Sequence, residues 1–216
     1  MKVTLENVLP GDIEKRSFAI IEGELRSRGV ILPEDRAPLV KRVIHTSADF
    51  EYADTLCFSD GVIEKALAAI GAGASVITDT KMGYSGINKR VLEKYGGQAY
   101  CFMGDADVAE MAKKNGTTRA VAAVDKAAVM EGPLIFAVGN APTALIRLYE
   151  LITEGKLSPA LVVGVPVGFV NVVQSKELIM ETGVPYVVAR GRKGGSNVAA
   201  AICNALLYML DETRGM

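Results

Sequence analysis

The stretch LIFAVGNAPTALIRLYELITE, residues 134–154, contains the pattern that decides the fold. Its first five residues, Leu134–Val138, are all apolar, which is typical of a strand buried on both faces. The turn that follows predicts a helix start, because Pro142 suits the first helical position, while Asn140 can cap the helix or present its amide to a ligand. The periodicity of Thr143–Glu154 suits the helix itself. This order of strand, turn and helix is the building unit of a parallel sheet.

The same order recurs along the chain. Buried strands separated by helices indicate a sheet covered on both faces, so we expect an α/β fold with three layers (α/β/α), a mostly parallel sheet and ligands beyond the carboxyl ends of its strands. The predicted strands are Ala74–Thr80, Gln98–Met103, Leu134–Val138, Ala160–Val167 and Tyr186–Ala189. The helices between or after them are predicted at Asp105–Asn115, Thr143–Glu154, Val172–Glu181 and Asn197–Glu212. Additional N-terminal helices, expected to pack on the sheet, are predicted at Asp12–Arg28, Asp35–Thr46 and Val62–Ile70.

Length and composition exclude several classes of protein. The 216 residues are 50% hydrophobic and 23% charged, which suits one compact domain over residues 1–216. The net charge of −1 gives no overall field toward nucleic acid or an anionic membrane. Prolines interrupt the uncharged stretch Leu157–Ser175, which therefore predicts a buried strand, a loop and a helix start rather than a membrane span. Three scattered cysteines and an N-terminus without signal-peptide features predict no disulfide framework, no thiolate zinc site and a cytoplasmic protein.

His45 is the only histidine of the chain and lies at the predicted end of the helix Asp35–Thr46, off its apolar stripe. The C-terminal end of a helix favours the protonated imidazole. Two interpretations follow: a histidine that only complements the helix dipole, or a general acid that works near neutral pH. In the preceding predicted helix, Asp12–Arg28, the hydroxyl of Ser17 interrupts an apolar stripe.

A basic, glycine-rich segment, RGRKGGS at residues 190–196, follows a predicted strand and opens a helix. With Arg190, Arg192, Lys193 and a capping Ser196, it could bind an anion, or it could be a solvated loop whose glycines serve the turn. It does not match the Walker pattern of phosphate-binding loops.

Arg119 stands near the start of a predicted helix, an unfavourable end for a cation, so it needs a carboxylate partner or an anionic ligand.

The segment Gly71–Ala74 precedes a strand, the wrong order for a dinucleotide fingerprint, so we assign no nicotinamide or flavin cofactor. The sequence also shows no histidine-rich cluster, so no metal site is predicted.

Taken together, the ordered motifs resemble the precorrin-8X methylmutase family of cobalamin biosynthesis. The motifs are EKRSFAII (14–21), RVIH (42–45), GNAPTAL (139–145), VPVGFV (165–170), Glu177 and RGRKGGS (190–196), and the resemblance runs from about residue 9 to residue 208. It implies a flavodoxin-like domain, a homodimer, no separate cofactor, and a 1,5-sigmatropic shift of a methyl group from C11 to C12 of the corrin framework.

The resemblance also implies roles for individual residues. His45 matches the catalytic histidine of the family, and we expect it to protonate or hydrogen-bond the ring nitrogen beside the migrating methyl group. The segment Asp79–Gly86 predicts a mobile loop over the site, which offers Lys81 and Tyr84 as contacts. The acetate and propionate groups of a precorrin need scattered cations and polar donors. The candidate substrate contacts are Arg16, Ser17, Arg42, Tyr84, Arg119, Asn140, Arg190, Arg192 and Lys193.

Two other functions stay open at the level of sequence. One is a doubly wound transferase that binds phosphate or a nucleotide through residues 190–196, although a Walker motif and carboxylates for magnesium are missing. The other is a corrinoid carrier that holds the macrocycle without transforming it. No motif indicates whether the substrate carries cobalt.

Overall fold

A six-stranded sheet in the order β1-β6-β5-β4-β2-β3 forms the centre of the computed structural model, which describes Val3 and residues 5–211. The strands are β1 Leu56–Phe58, β2 Ser75–Thr78, β3 Ala99–Tyr100, β4 Leu134–Val138, β5 Leu161–Gly164 and β6 Tyr186–Ala189. All neighbouring strands are parallel except β1, which runs antiparallel to β6. The parallel strands, renumbered along the chain, follow the order 2-1-3-4-5 of flavodoxin-like sheets.

Helices cover both faces of this sheet. The helices are α1 Ile13–Ser27, α2 Ala37–Ser47, α3 Tyr52–Thr55, α4 Val62–Gly71, α5 Lys81–Gly86, α6 Lys89–Lys94, α7 Ala106–Asn115, α8 Arg119–Ala128, α9 Pro142–Thr153, α10 Val172–Met180 and α11 Ser196–Leu210. Alternate residues of β4 point to opposite faces of the sheet. Ile135 and Ala137 join one core with α2, α4 and α11, whereas Leu134, Phe136 and Val138 join the other with α8, α9 and α10. The predicted three-layer α/β/α class is therefore confirmed. Within the described residues, no helix combines the length and apolar character needed to cross a bilayer.

The N-terminal helices pack on the sheet assembly, as predicted. Helix α2 buries the stripe Leu39, Val40, Val43 and Ile44 in the core that α11 shares. Helix α1 rests on α2 and buries only Ile21 and Leu25. Phe18 is half-buried against the same core, whereas Ile13 and Ile20 are left at the surface.

Several segments differ from the prediction, among them the short helices α3 and α6, which were not predicted. The prediction of a loop at Asp79–Gly86 is wrong, because Lys81–Gly86 forms α5, with the Thr80 hydroxyl capping it by accepting a hydrogen bond from the Gly83 N–H at 2.9 Å. Strand β1 was not predicted at all. The five predicted strands are present but mostly shorter, and the predicted end of the last helix at Glu212 lies outside the described residues.

Candidate functional site

His45 lies in the last turn of α2 with its side chain exposed. Its ring stacks on Phe18 of α1, with the ring centroids 5.3 Å apart and the planes at 28°. Arg42, one turn earlier, holds its guanidinium 4.8 Å from the same phenyl ring and 5.2 Å from the ring of Tyr208, and donates a hydrogen bond to Glu14. The end of α2 thus presents an accessible imidazole that an aromatic ring holds in place.

Two further predicted contacts lie on α1, the helix that carries Phe18. The Ser17 hydroxyl donates to the carbonyl of Ile13 at 2.9 Å, so a bond within the helix already accounts for a hydroxyl in the apolar stripe. Arg16 pairs with Glu6 at 2.8 Å, and both side chains are about half exposed. A groove of about 400 Å³ runs between α1 and α2, and Phe18 contributes to its wall.

A second group of polar residues lies where β2 and β4 end side by side, the point at which the strand order of the sheet reverses. The buried carboxylate of Asp79 accepts hydrogen bonds from the N–H groups of Gly139, Asn140 and Ala141 at 2.9, 2.8 and 2.6 Å. Burial raises the pKa of Asp79, and the three N–H groups oppose that rise. In a doubly wound phosphate-binding protein such N–H groups face the ligand. Here the chain's own carboxylate fills that position, which disfavours the nucleotide-transferase hypothesis.

Two helix caps that the sequence suggested are not formed. Asn140 does not cap α9: the helix begins at Pro142, the preceding cap position is Ala141, and the side chain of Ala141 makes no capping hydrogen bond. The side chain of Asn140 remains exposed. Ser196 does not cap α11 either, because its hydroxyl lies 2.7 Å from that of Thr80 and links α11 to α5. Both proposed caps are wrong: Asp79 binds the N–H groups before α9, and α11 begins at Ser196 itself, after Gly195.

The basic segment at residues 190–196 does not expose three free cations. Arg190 forms two hydrogen bonds to Glu177, at 3.0 and 3.3 Å. Arg192 places its guanidinium 5.4 Å from the ring of Phe169 and has no ion pair within the described part of the chain. Of the two arginines, only Arg192 therefore keeps its charge available to an anionic ligand.

Lys193 connects the basic segment to the helix that carries His45. Its ammonium lies 2.6 Å from a carboxylate oxygen of Asp49 and 2.7 Å from one of Glu51, in the turn that follows α2. The carboxylates raise the pKa of Lys193, and the ammonium in turn holds the pKa of Asp49 below its usual value. The ion pairs fasten the end of α2 to the carboxyl edge of the sheet.

Lys176 of α10 is a residue of this region that the sequence analysis missed. Its side chain is fully buried, and its ammonium donates to the carbonyls of Gly191 and Lys193, both at 2.8 Å. Burial lowers the pKa of Lys176 to about 8. The spacing of the buried residues Val172, Ser175, Lys176 and Ile179 could have revealed it, since this lysine occupies the apolar stripe of an amphipathic helix.

The other predicted contacts are placed as follows. Arg119 is the first residue of α8, is exposed, and has no ion pair among the residues the structure describes. Its helix start is tied to that of α9 by the hydroxyls of Thr118 and Thr143, 3.1 Å apart. Tyr84 of α5 is half-buried under the ammonium of Lys89, which lies 4.2 Å from its ring.

The predicted residues thus form two groups, one around His45 and one at the ends of β2 and β4. In the described chain, no hydrogen bond or ring contact joins His45 directly to Asn140 or Arg119. The basic segment lies between the groups, because its end at Gly195 and Ser196 lies close against Gly139 after β4 and its Lys193 bonds to Asp49 after α2. No group of three or more His, Cys, Asp or Glu side chains suited to a metal ion occurs among the described residues.

Comparison with known proteins identifies the family. Residues 12–209 match the family model described as precorrin-8X methylmutase. The chain is 47% identical to the cobalt-precorrin-8 methylmutase of Salmonella typhimurium, over 94% of this chain and 97% of that protein. It is 43% identical to the cobalt-precorrin-8 methylmutase of Priestia megaterium, over 94% of this chain and 90% of that protein. A crystal structure of precorrin-8x methyl mutase from Thermus thermophilus superposes with a TM-score of 0.83 at 39% identity, covering 94% of this chain and 98% of that one. The chain belongs to the precorrin-8X methylmutase family.

Proposed function

We propose that this protein is an isomerase of cobalamin biosynthesis that moves a methyl group from C11 to C12 of a precorrin-8 framework. The observation that carries the proposal is the accessible imidazole of His45 at the position that matches the family's catalytic histidine. Similarity over nearly the whole chain to methylmutases supports it. No redox or group-donating partner is needed, because the methyl group moves within one molecule.

His45 acts in this proposal as a general acid or hydrogen-bond donor. Stacking on Phe18 fixes the plane of the imidazole while the side chain stays exposed to a ligand. A proton or hydrogen bond delivered to the ring nitrogen beside the migrating methyl group stabilises the rearranged π-system in the transition state. The remaining acceleration comes from holding the macrocycle in a reactive shape.

The carboxylates of the substrate need cations that are free to receive them. A cation that is already paired must release its partner first, so we assign the first contacts to Arg119 and Arg192, and we propose Asn140 as an uncharged donor beside them. A broad macrocycle can bridge the two groups of residues although they do not contact each other. The second set of proposed contacts is Arg16, Ser17, Arg42, Tyr84, Arg190 and Lys193.

We also propose a homodimer that works in the cytoplasm. Leu5, Leu9, Ile13 and Ile20 are exposed apolar residues along α1 and the segment before it, and a second copy could cover them. Charged substitutions at Ile13 and Ile20 are expected to shift the mass measured by sedimentation toward the monomer, and an unchanged mass would place the interface elsewhere. All three cysteines are free thiols, which suits a reducing compartment.

The test is an absorbance spectrum of the protein incubated with precorrin-8 and, separately, with its cobalt form. We expect the wild type to convert one or both, since the methyl shift changes the conjugation and the colour, and we expect His45→Ala to bind without converting. Thr46→Ala, a change at the neighbouring exposed position, serves as the control and should convert normally. The form that is converted faster identifies the natural substrate. Binding without conversion by the wild type would support the carrier instead, and no spectral change at all would reject both.

A further inference from the structure

Lys176 is buried completely, and within the described residues its ammonium has no carboxylate partner. An isolated buried charge costs free energy, and an apolar side chain of similar size would avoid that cost. The two bonds that Lys176 makes go to the backbone carbonyls of Gly191 and Lys193, which flank Arg192 on either side. The ammonium therefore stabilises the conformation of one short piece of backbone, residues 191–193.

That piece of backbone has a conformation which few sequences adopt. Gly194 has φ +158°, and a Cβ there would lie 2.1 Å from the carbonyl oxygen of Val165. Further bonds hold the segment from outside: the N–H of Gly195 donates to Val165 at 2.9 Å, and the N–H of Gly168 donates to the carbonyl of Arg192 at 3.2 Å. The carbonyls of residues 191, 192 and 193 are thus all bound, so the backbone around Arg192 is fixed.

We propose that Lys176 is a positioning residue for substrate binding, which fixes the peptide units on both sides of Arg192 so that its guanidinium meets a substrate carboxylate. The inference rests on the proposed function. Lys176 itself does not touch the substrate, because its side chain is fully buried. The same ammonium holds the backbone of Lys193, whose side chain reaches Asp49 after α2, so it also sets the distance from Arg192 to the helix that carries His45.

The test compares the kinetics of Lys176→Met with those of Arg192→Met and of the double variant. We expect KM to rise about tenfold in each single variant while kcat changes less than about threefold, because ground-state binding is lost and the chemistry is kept. We expect the double variant to resemble the single ones, since both changes remove the same interaction. Lys113→Met, at an exposed lysine on α7, is the matched control and should keep the wild-type KM.

A folded Lys176→Met variant with the wild-type KM would overturn the inference, as would fully additive effects in the double variant. If the methionine variant does not fold, Lys176→Gln replaces it, and the same KM criterion applies. Amide hydrogen exchange without substrate separates this inference from the proposed function. Faster exchange at residues 191–195 in the variant supports the positioning role even if no conversion is found, and unchanged exchange contradicts it.

Discussion

Replacement of Asp79 by alanine tests whether one carboxylate holds the end of β4 and the start of α9 together. The carboxylate is 60 or more positions away from the three N–H groups that it binds. Alanine removes the acceptor and leaves no other side chain to replace it, since α9 has no cap of its own. We expect the free energy of unfolding to fall, with the turn at Asn140 losing its fixed position.

The expected loss follows from the burial of these groups. The bond from Gly139 is fully buried and the bonds from Asn140 and Ala141 are partly so. A buried N–H without a partner costs about 1–3 kcal/mol, and hydrogen bonds to a charged group lie at the upper end of that range. Water can reach the exposed Asn140, and removing a buried charge recovers some desolvation free energy. We therefore expect Asp79→Ala to cost about 3 kcal/mol.

Urea unfolding at pH 7, followed by far-ultraviolet circular dichroism, measures this loss. Asp60→Ala is the control, because Asp60 lies exposed in the turn after β1 and its side chain makes no hydrogen bond in the described chain; its expected change is below about 0.5 kcal/mol. Asp79→Asn keeps one acceptor oxygen, so its loss of unfolding free energy should lie between the losses for Asp79→Ala and Asp60→Ala. A loss below about 1 kcal/mol for Asp79→Ala would refute the reasoning, since the N–H groups would then have found other partners.

Three further predictions concern Lys176, Gly194 and Cys203. The pKa of Lys176 is about 8 in the folded protein against an ordinary 10.5, so between these values the folded state binds fewer protons than the unfolded state and stability rises with pH. We therefore expect the free energy of unfolding of the wild type, measured by urea titration, to gain about 2 kcal/mol between pH 7 and 9.5 relative to that of Lys176→Met. Gly194→Ala should cost about 3 kcal/mol or more in the same assay, because its Cβ would overlap the Val165 carbonyl. Gly155→Ala, also at positive φ but in open space, should cost only about 1–2 kcal/mol, and equal losses would contradict the steric argument. Burial raises the pKa of Cys203 to about 12, so we expect a thiol reagent at pH 8 to label Cys203 only after unfolding; rapid labelling of the native protein would argue against this.

The parts of the fold that the sequence predicted are those which depend on residue type alone. A central strand such as Leu134–Val138 is buried on both faces, so every residue must be apolar and the run is visible without knowing its neighbours. Strand β1 has only one buried residue in three and exists because β6, far along the chain, offers it an edge. Helix α5 contains Gly83 and Gly86, poor helix formers, and forms because of the Thr80 cap and its packing on α11.

The candidate site, like the fold, could be predicted from the sequence only in part. The exposed position of His45 followed from its place on the helix, and the stretches around Asn140 and Arg192 were found because they follow predicted strands. The partners of these residues could not be found, since a contact such as Lys193 with Asp49 depends on how distant segments meet. The role of Asp79 could not be predicted for the same reason. Its carboxylate acts on a turn that belongs to another strand.

The two outer strands of the sheet are its shortest. Strand β1 has three residues and β3 has two, whereas the four strands between them have four or five. Unpaired strand edges are the usual starting points for intermolecular pairing and aggregation, and short outer strands limit this risk. The antiparallel β1 therefore shields the longer β6 from neighbouring molecules. Association between copies of this chain is accordingly expected to use helix surfaces and not a continuation of the sheet.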